Sequence, residues 1–398
     1  MVKLGTSATV PSTANITATF NGVISSPVIL TVTQAGSSST NGLLTPRYDH
    51  TATLLHDGTV LVAGGYNTVA LDSAELYTPG LATSTGIWTP SRNMAVGRRD
   101  HTATLLSTGQ VLLIGGGTAS GDLASAEMYT PASAVGVAGS WTPYPAVLTQ
   151  TRSYHTATLL NNPANVTANS GKELVLVVGG SLASTADLYD PSSTASAVAV
   201  TDSSPRYSHT ATLLSDGRVL VTGGFDSVSA NVLAQAELFA PTGASVTPIN
   251  PLATARYLHS ATLLPNGQVL VAGGIDAMGN FLSSAELYDP ATGLWTPTGS
   301  LAIPRYGHIA TLMTSGPNIG KVLVLGGRNA SNPTLSSAEL YDPNTRTWTG
   351  TANLQKGRAV FSATLLSTGP DMGSVLVVGG EGTVNGNYVV LPDVELHN

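Results

Sequence analysis

Six of the chain's eight histidines stand in one local setting, three residues after an arginine and immediately ahead of an x-Ala-Thr-Leu run. They are His50, His101, His155, His209, His259 and His308, and Phe361 fills the same place in a seventh copy. An imidazole close to a guanidinium and a carboxyl is the raw material of a general base or a metal ligand. Copies of one position, each in a repeat of its own, do not converge on the four-ligand shell a zinc ion takes. The phenylalanine adds that the position does not require imidazole. A structural role is therefore expected, with one ring nitrogen bonded to backbone where the following strand begins, and no metal is expected.

The arginines Arg47, Arg98, Arg152, Arg206, Arg256, Arg305 and Arg358 are matched by seven acids further along each copy. These are Glu75, Glu127, Asp187, Glu237, Glu286, Glu339 and Glu395. Two rows of opposite charge in register predict paired, partly buried bridges within or between repeats. Such bridges specify geometry more reliably than they add stability. As catalytic acids they would come seven at a time, so they are read as a structural ring. No nucleophile elbow, phosphate loop, H-E-x-x-H or EF-hand pattern occurs in the sequence. Gly115-Gly116-Gly117 lacks the lysine and helix of a phosphate loop, and the absence of cysteine removes thiol and disulfide chemistry. No catalytic residue and no cofactor are assigned.

The elements that carry these residues repeat about every 50 residues. Gly-Gly pairs begin at Gly64, Gly115, Gly179, Gly223, Gly273, Gly326 and Gly379. Ahead of each lies a strand pattern, His-x-Ala-x-Leu, then a tight turn such as Asp57-Gly58 or Asn266-Gly267, then an apolar run such as Val60–Ala63. After the pair comes Ala-Glu-Leu-Tyr or a close variant. Four repeats end in a strand holding Trp88, Trp141, Trp295 or Trp348. Asp-Pro turns separate these last two strands, which suits a residue that cannot donate to a ladder.

A unit of four short strands, with Gly-Gly closing the second and a later Tyr and Trp, resembles the kelch repeat. The resemblance covers residues 47–397 and implies an all-β fold, a seven-bladed β-propeller like the central domain of galactose oxidase and related bacterial kelch proteins. Galactose oxidase itself works through copper and a tyrosine cross-linked to cysteine; a chain without cysteine cannot form that group. Leu43, Met94, Leu148, Leu252, Leu301 and Leu354 stand four residues before six of the arginines, with Asp202 in the remaining place. Leu43 precedes the first repeat and the last repeat stops at His397 without a Trp strand. Residues 38–43 are therefore expected to supply the outer strand of the seventh blade.

Residues 1–36 read as a separate β-hairpin. Ile16, Ala18 and Phe20 alternate with polar residues, Asn21-Gly22 supplies a turn, and Val28, Leu30 and Val32 alternate again. The stretch resembles the last strands of a bacterial Ig-like domain, which implies upstream Ig-like domains in a longer protein, with residues 37–398 as the propeller. An isolated hairpin is marginal in water. If its partner strands come from a neighbouring subunit, the chain would be a structural subunit of a surface assembly joined by strand addition.

Composition narrows the function. The chain has 398 residues, 16 basic and 23 acidic, so only 10% are charged against about 25% in an average domain. A net charge of −7 without basic clusters argues against nucleic acid, and no apolar run is long enough for a membrane-spanning helix. The opening Met1–Gly5 lacks a signal-like apolar run, so the compartment is read from composition. Abundant Ser, Thr, Ala, Gly and Asn with little Lys or Glu has the texture of a secreted or cell-surface protein.

The residues immediately after the Gly-Gly pairs all differ: Tyr66, Gly117, Ser181, Phe225, Ile275, Arg328 and Glu381. On a propeller these loops share a face with the connections between blades, where Arg99 and Asp100 fall. Asp122, Asp226 and Asp276 lie nearby. Variation on a repeated scaffold marks a recognition surface. The expected function is a non-catalytic binding module for a glycan or surface protein, acting in adhesion through Tyr66, Arg99, Asp100, Asp122, Phe225, Asp226, Asp276, Arg328 and Glu381. The alternative is a carbohydrate-active enzyme (mutarotase, lyase or hydrolase), which would gather Arg99, Asp100, Arg328 and Glu381 around one central pocket with shifted pKa values. The opposite face carries insertions at 161–173, 315–321 and 368–374 as secondary candidates.

Overall fold

A computed structural model describes residues 37–398 except 81–85, 145–146, 181–184, 194, 202–204, 370 and 385, together with strand segments 12–16, 19–20, 23–24 and 28–32 nearer the start. Two residues of the sequence analysis, Ser181 and Asp202, lie outside the described residues, as do Ala18 and the Asn21-Gly22 turn. Near the N-terminus Ser12–Ile16 pairs antiparallel with Val28–Val32, and Thr19–Phe20 with Val23–Ile24.

The described residues hold seven four-stranded antiparallel sheets. The first runs Thr51–Leu54, Val60–Ala63, Ala74–Thr78, Ile87–Pro90 from inner to outer strand. Five more follow the same order along the chain. The last combines Ser362–Leu365, Val375–Val378 and Val394–His397 with Ser37–Ser39 from the N-terminal side, paired Glu395↔Ser39 and His397↔Ser37. The first strands of successive sheets lie side by side, and Ser362–Leu365 lies beside Thr51–Leu54.

The apolar second strands are buried on both faces because each sheet packs against two neighbours. Leu61, Ala63 and Leu76 of the first sheet meet Val111, Leu113 and Tyr129 of the second. Val60, Val62 and Tyr77 meet Leu366, Leu376, Val378 and Val394 of the seventh. The six Leu and Met residues ahead of the arginines are all buried in these seams. Tyr77 and Trp88 sit opposite each other on neighbouring strands with ring centroids 5.2 Å apart, and the other three Tyr–Trp pairs repeat this at 4.9–5.0 Å.

The Gly-Gly pair is a steric requirement. Gly64 and Gly65 have φ of 62° and 96°, and a Cβ on Gly65 would lie 2.6 Å from the Tyr48 carbonyl oxygen. That close approach lets the Gly65 amide donate to the carbonyl of Arg98 in the next repeat at 2.8 Å. All seven pairs make the equivalent bond, the last from Gly380 to Arg47 at 2.9 Å.

Each arginine is wholly buried and paired with the acid of its own repeat. Six pairs measure 2.7–2.9 Å, and Arg358 bonds Glu395 likewise. The expectation of partly buried bridges is corrected: the arginine side chains are 0% exposed and those of the acids at most 5%. The same guanidinium donates to the first glycine's carbonyl, as Arg47 does to Gly64 at 2.7 Å. The acid in turn accepts amides from the connection ahead of the arginine, as Glu75 does from Leu44 and Thr45.

The histidines also differ from expectation. Their Nε2 atoms each bond a hydroxyl on a neighbouring sheet, and His155 also meets the Ile114 backbone. His101 meets Thr51, His155 meets Thr102, His209 meets Thr156, His259 meets Thr210, His308 meets Ser260, and His50 meets Ser362, all at 2.8–3.0 Å. Backbone carbonyls here are already committed to the ladder, so the side-chain hydroxyl is the available partner. The seventh joint is internally consistent. Where Phe361 replaces histidine, its opposite position is Ile309 rather than Thr or Ser, and the two share one apolar cluster.

Two outcomes follow. Replacing Arg256 by Met strands the Glu286 carboxylate in the interior and should cost about 3–5 kcal/mol in urea unfolding, with Arg256→Met/Glu286→Leu recovering part of it. His155→Phe should destabilise by about 1–2 kcal/mol through the unsatisfied Thr102 hydroxyl, and His155→Phe/Thr102→Ile should largely restore stability in a double-mutant cycle. Acid unfolding reads the same joints. Burial, reinforced by the neighbouring arginine, depresses His155, His259 and His308 to about 3. Their stabilisation is complete above an unfolded value near 6.5 and is lost as pH falls toward 3, each by roughly 1.4 kcal/mol per pH unit. Each His→Phe/Thr→Ile exchange should flatten that slope by one proton.

Candidate functional site

One face of the fold gathers the variable positions. The residue after Gly-Gly bridges the residue after the same repeat's arginine: Tyr66 with Tyr48, Gly117 with Arg99, Phe225 with Tyr207, Ile275 with Tyr257, Arg328 with Tyr306. Glu381 pairs with Ala359 in the same way. Loops after the second strand therefore share a face with the connections between sheets.

Inside these bridges runs a backbone collar. The second residue after each arginine (Asp49, Asp100, Tyr154, Ser208, Leu258, Gly307, Val360) has a φ of 52–60°. Each amide from Asp100 to Val360 donates to the carbonyl of its predecessor in the series, at 3.0–3.5 Å. Asp and Ser tolerate this left-handed conformation; Tyr154, Leu258 and Val360 hold it at a steric cost. The collar fixes where six side chains stand, four of them polar and adjacent.

Around the collar the face divides in two. One part is an arc of rings: Tyr154 to Tyr207 at 6.1 Å, Tyr207 to Phe225 at 5.5 Å, Phe225 to Tyr257 at 5.6 Å, then Phe281 stacked on Tyr306 at 5.1 Å. The other part is charged. Arg328 bonds Glu381 and lies 5.8 Å over the Tyr306 ring. Arg99 lies 4.7 Å over the Tyr66 ring, with its Nε 3.8 Å from Asp100. Asp100 hydrogen-bonds both Asp49 and the Tyr154 hydroxyl.

This end is electrostatically unusual. Burial raises Asp49 to about 8, helped by the negative charges of Asp100 and Glu381 and opposed by Arg99. Burial also raises Asp100, to about 6, against the stabilising hydrogen bond from Tyr154 and the charge of Arg99. Two carboxyls in one hydrogen bond cannot both ionise cheaply, so the pair holds a proton across neutral pH and titrates as a unit. Such a pair has one member able to accept and one able to donate.

Of the nine face residues named from sequence, Tyr66, Arg99 and Asp100 meet at the charged end, with Asp122 close enough to raise Asp100. Arg328 and Glu381 form the adjoining pair, and Phe225 sits in the middle of the aromatic arc. Asp226 and Asp276 are not brought in. Asp226 accepts from Val228, Ser229 and the Ser229 hydroxyl, and Asp276 from Met278 and Asn280, so each caps its own loop. Sequence reasoning missed Tyr48, Asp49, Tyr154, Tyr207, Tyr257, Phe281 and Tyr306. A signal existed, because the residue after the arginine is tyrosine in four of seven repeats while the one after it never settles.

The opposite face is occupied differently. The insertion at 161–173 contains a short helix, Pro163–Ala168, capped by Asn162. Buried Asn165 donates from its amide to Gly217 and Pro241, bracing the next sheet's turn. Shallow cavities of about 280–300 Å³ lie on this side, one lined by Gly171, Lys172 and Glu173, another by His56, Asp57 and Thr108. Among the described residues no cluster of three or more His, Cys, Asp or Glu has metal-site geometry.

An all-β chain of repeated four-stranded antiparallel sheets fits a β-propeller. The Kelch motif matches residues 256–302 and 320–355, the fifth and sixth repeats, so the chain carries kelch repeats. No curated protein matches it.

The pair makes a direct prediction. With Asp100→Asn the like charge is gone, and carbon-detected NMR of the carboxyl should show Asp49 titrating below its wild-type midpoint of about 8. An unchanged midpoint would mean the two do not share a proton.

Proposed function

We propose that the seven sheets are blades of one closed propeller, and that the chain is a non-catalytic binding module, secreted or displayed on a cell surface, acting through the collar face. Closure is supported by the Gly380–Arg47 bond and by Ser37–Ser39 pairing with Val394–His397. The N-terminal hairpin is the end of an Ig-like domain in the same reading. Kelch repeats generally serve as protein-interaction modules, which agrees with a recognition role. The observation that carries the reading is the aromatic arc running into the charged end on a hydrogen-bonded collar. Stacking rings, carboxyls and arginines are the groups that hold a glycan or a protein surface. Low charge and abundant Ser, Thr and Asn support an extracellular setting.

A second reading has its own support. The Asp49–Asp100 pair supplies an acid and a base side by side, which is the equipment of a carbohydrate-active enzyme. Turnover of reducing sugars or glycosides by the intact chain, abolished by Asp100→Asn, would establish it in place of binding.

Binding of the intact chain to a glycan array and to a panel of purified surface proteins tests the first reading. Tyr207→Ala/Tyr257→Ala should weaken a bound partner by at least about tenfold, as loss of central aromatic contacts does. Lys172→Ala on the opposite face should leave it unchanged. The reverse pattern would place recognition on the other side.

A further inference from the structure

The collar face has more acid than its own cations satisfy. Around the charged end stand Asp49, Asp100 and Glu381, against Arg99 and Arg328. Arg328 is committed to Glu381. Arg99 is spread over the Tyr66 ring, and its 3.8 Å approach to Asp100 exceeds hydrogen-bond length. Asp100 is 5% exposed in its side chain, yet its carboxyl partners are another carboxyl and a tyrosine hydroxyl. A buried carboxyl pair that keeps a proton is what remains when the cation that would neutralise it is absent.

The rest of the face asks for something apolar. The arc begins at Tyr154, whose hydroxyl already contacts Asp100, and continues through Tyr207, Phe225 and Tyr257. Beside it the loop tips project Val228 and Met278, 75% and 84% exposed. Successive rings lie 5.5–6.1 Å apart, near the ~6.6 Å between alternate side chains of an extended strand. A glycan offers hydroxyls and sugar faces, but neither a cation nor aliphatic side chains at that spacing. An extended polypeptide offers both.

Resting on the binding reading above, we infer that the collar face docks an extended segment of another protein, with a lysine or arginine reaching Asp49 and Asp100 and alternate apolar side chains along the arc from Tyr154 to Tyr257. Charge complementarity sets the orientation. The basic residue enters at the carboxyl pair, faced by Asp122, Glu381, Arg99 and Tyr154, and the apolar residues follow away from it. An arriving cation takes the place of the shared proton, so binding releases a proton and tightens as pH rises.

A random dodecapeptide display library panned on the intact chain, with a glycan array run in parallel, tests this. Enriched peptides should carry Lys or Arg followed by apolar residues at every second position. Their affinity should fall at least about tenfold in Asp49→Asn/Asp100→Asn and in Tyr257→Ala, weaken with added salt, and be higher near pH 8.5 than near pH 5.5. Asparagine tolerates the left-handed backbone at both positions, so these variants keep the collar. Enrichment of acidic or uncharged peptides, or indifference to the double asparagine variant, overturns the inference. A glycan that binds and is lost with Tyr257→Ala, with no peptide enriched, overturns it while leaving the binding face standing. Peptides indifferent to both the asparagine and the tyrosine variants overturn the face itself.

Discussion

The buried Arg–carboxylate pair is the interaction from which the rest of this structure is organised. One guanidinium holds the acid on the third strand, the carbonyl of the first glycine, and through that acid the amides of the incoming connection. Three separate pieces of chain are thereby fixed within one repeat. A lysine could not do this, because its point charge lacks the planar fork that satisfies several acceptors at once. With the arginine fixed, its own carbonyl is aimed at the second glycine of the preceding repeat, and the backbone bond between sheets follows. The pair contributes modest net stability, since desolvation offsets most of the attraction. Its effect is on placement: it decides where the next sheet starts.

Contacts between neighbours then divide into a general part and a specific part. Apolar second strands supply non-directional burial on both sides. The histidine–hydroxyl bonds supply direction at six joints, and the Phe361–Ile309 contact replaces one of them without leaving a polar group behind. That substitution is instructive because both members change together. A histidine facing Ile309, or a phenylalanine facing a threonine, would leave a buried polar atom unpaired at a cost of about 1–3 kcal/mol. The joint tolerates either chemistry, but not a mixture.

Most of the scaffold could be read from the sequence because repetition exposes it. Position-by-position comparison of repeats separates residues that recur from those that do not, and the recurring Arg, Glu, His and Gly-Gly define strands, turns and bridges. The same comparison misjudged the partners. Full burial of the ion pairs is a property of the folded chain, and the histidine's partner lies on another unit, 48–53 residues away at five joints and 312 at the sixth. Neither fact is local. The functional face was half legible. Tyr66, Arg99, Asp100, Arg328 and Glu381 stood out as departures from the repeat, whereas Asp49 and Tyr154 occupy a position that holds six residue types in seven copies and so looked like an ordinary loop. Their significance comes from the left-handed collar, which brings residues from separate repeats into hydrogen-bonded succession. Asp226 and Asp276 show the opposite error. Each looked functional by type and place, and each is consumed by its own turn.

The collar also explains how a repetitive scaffold carries an asymmetric face. Its backbone conformation is the same in all seven repeats, so its geometry places no demand on side-chain type beyond tolerance of a positive φ. Leu258 and Val360 accept the strain that glycine avoids, which shows that the surrounding bonds over-determine the backbone there. Side chains at that position are therefore free to differ without disturbing the sheets. Asp49 and Asp100 fall in consecutive repeats, and consecutive repeats are neighbours on the collar. Two carboxyls about 50 residues apart in sequence are thus forced into a single hydrogen bond by a backbone device that is indifferent to their charge. The electrostatic cost of that contact is met by the rigidity of the sheets below it. A flexible loop would relieve the cost by moving the two groups apart.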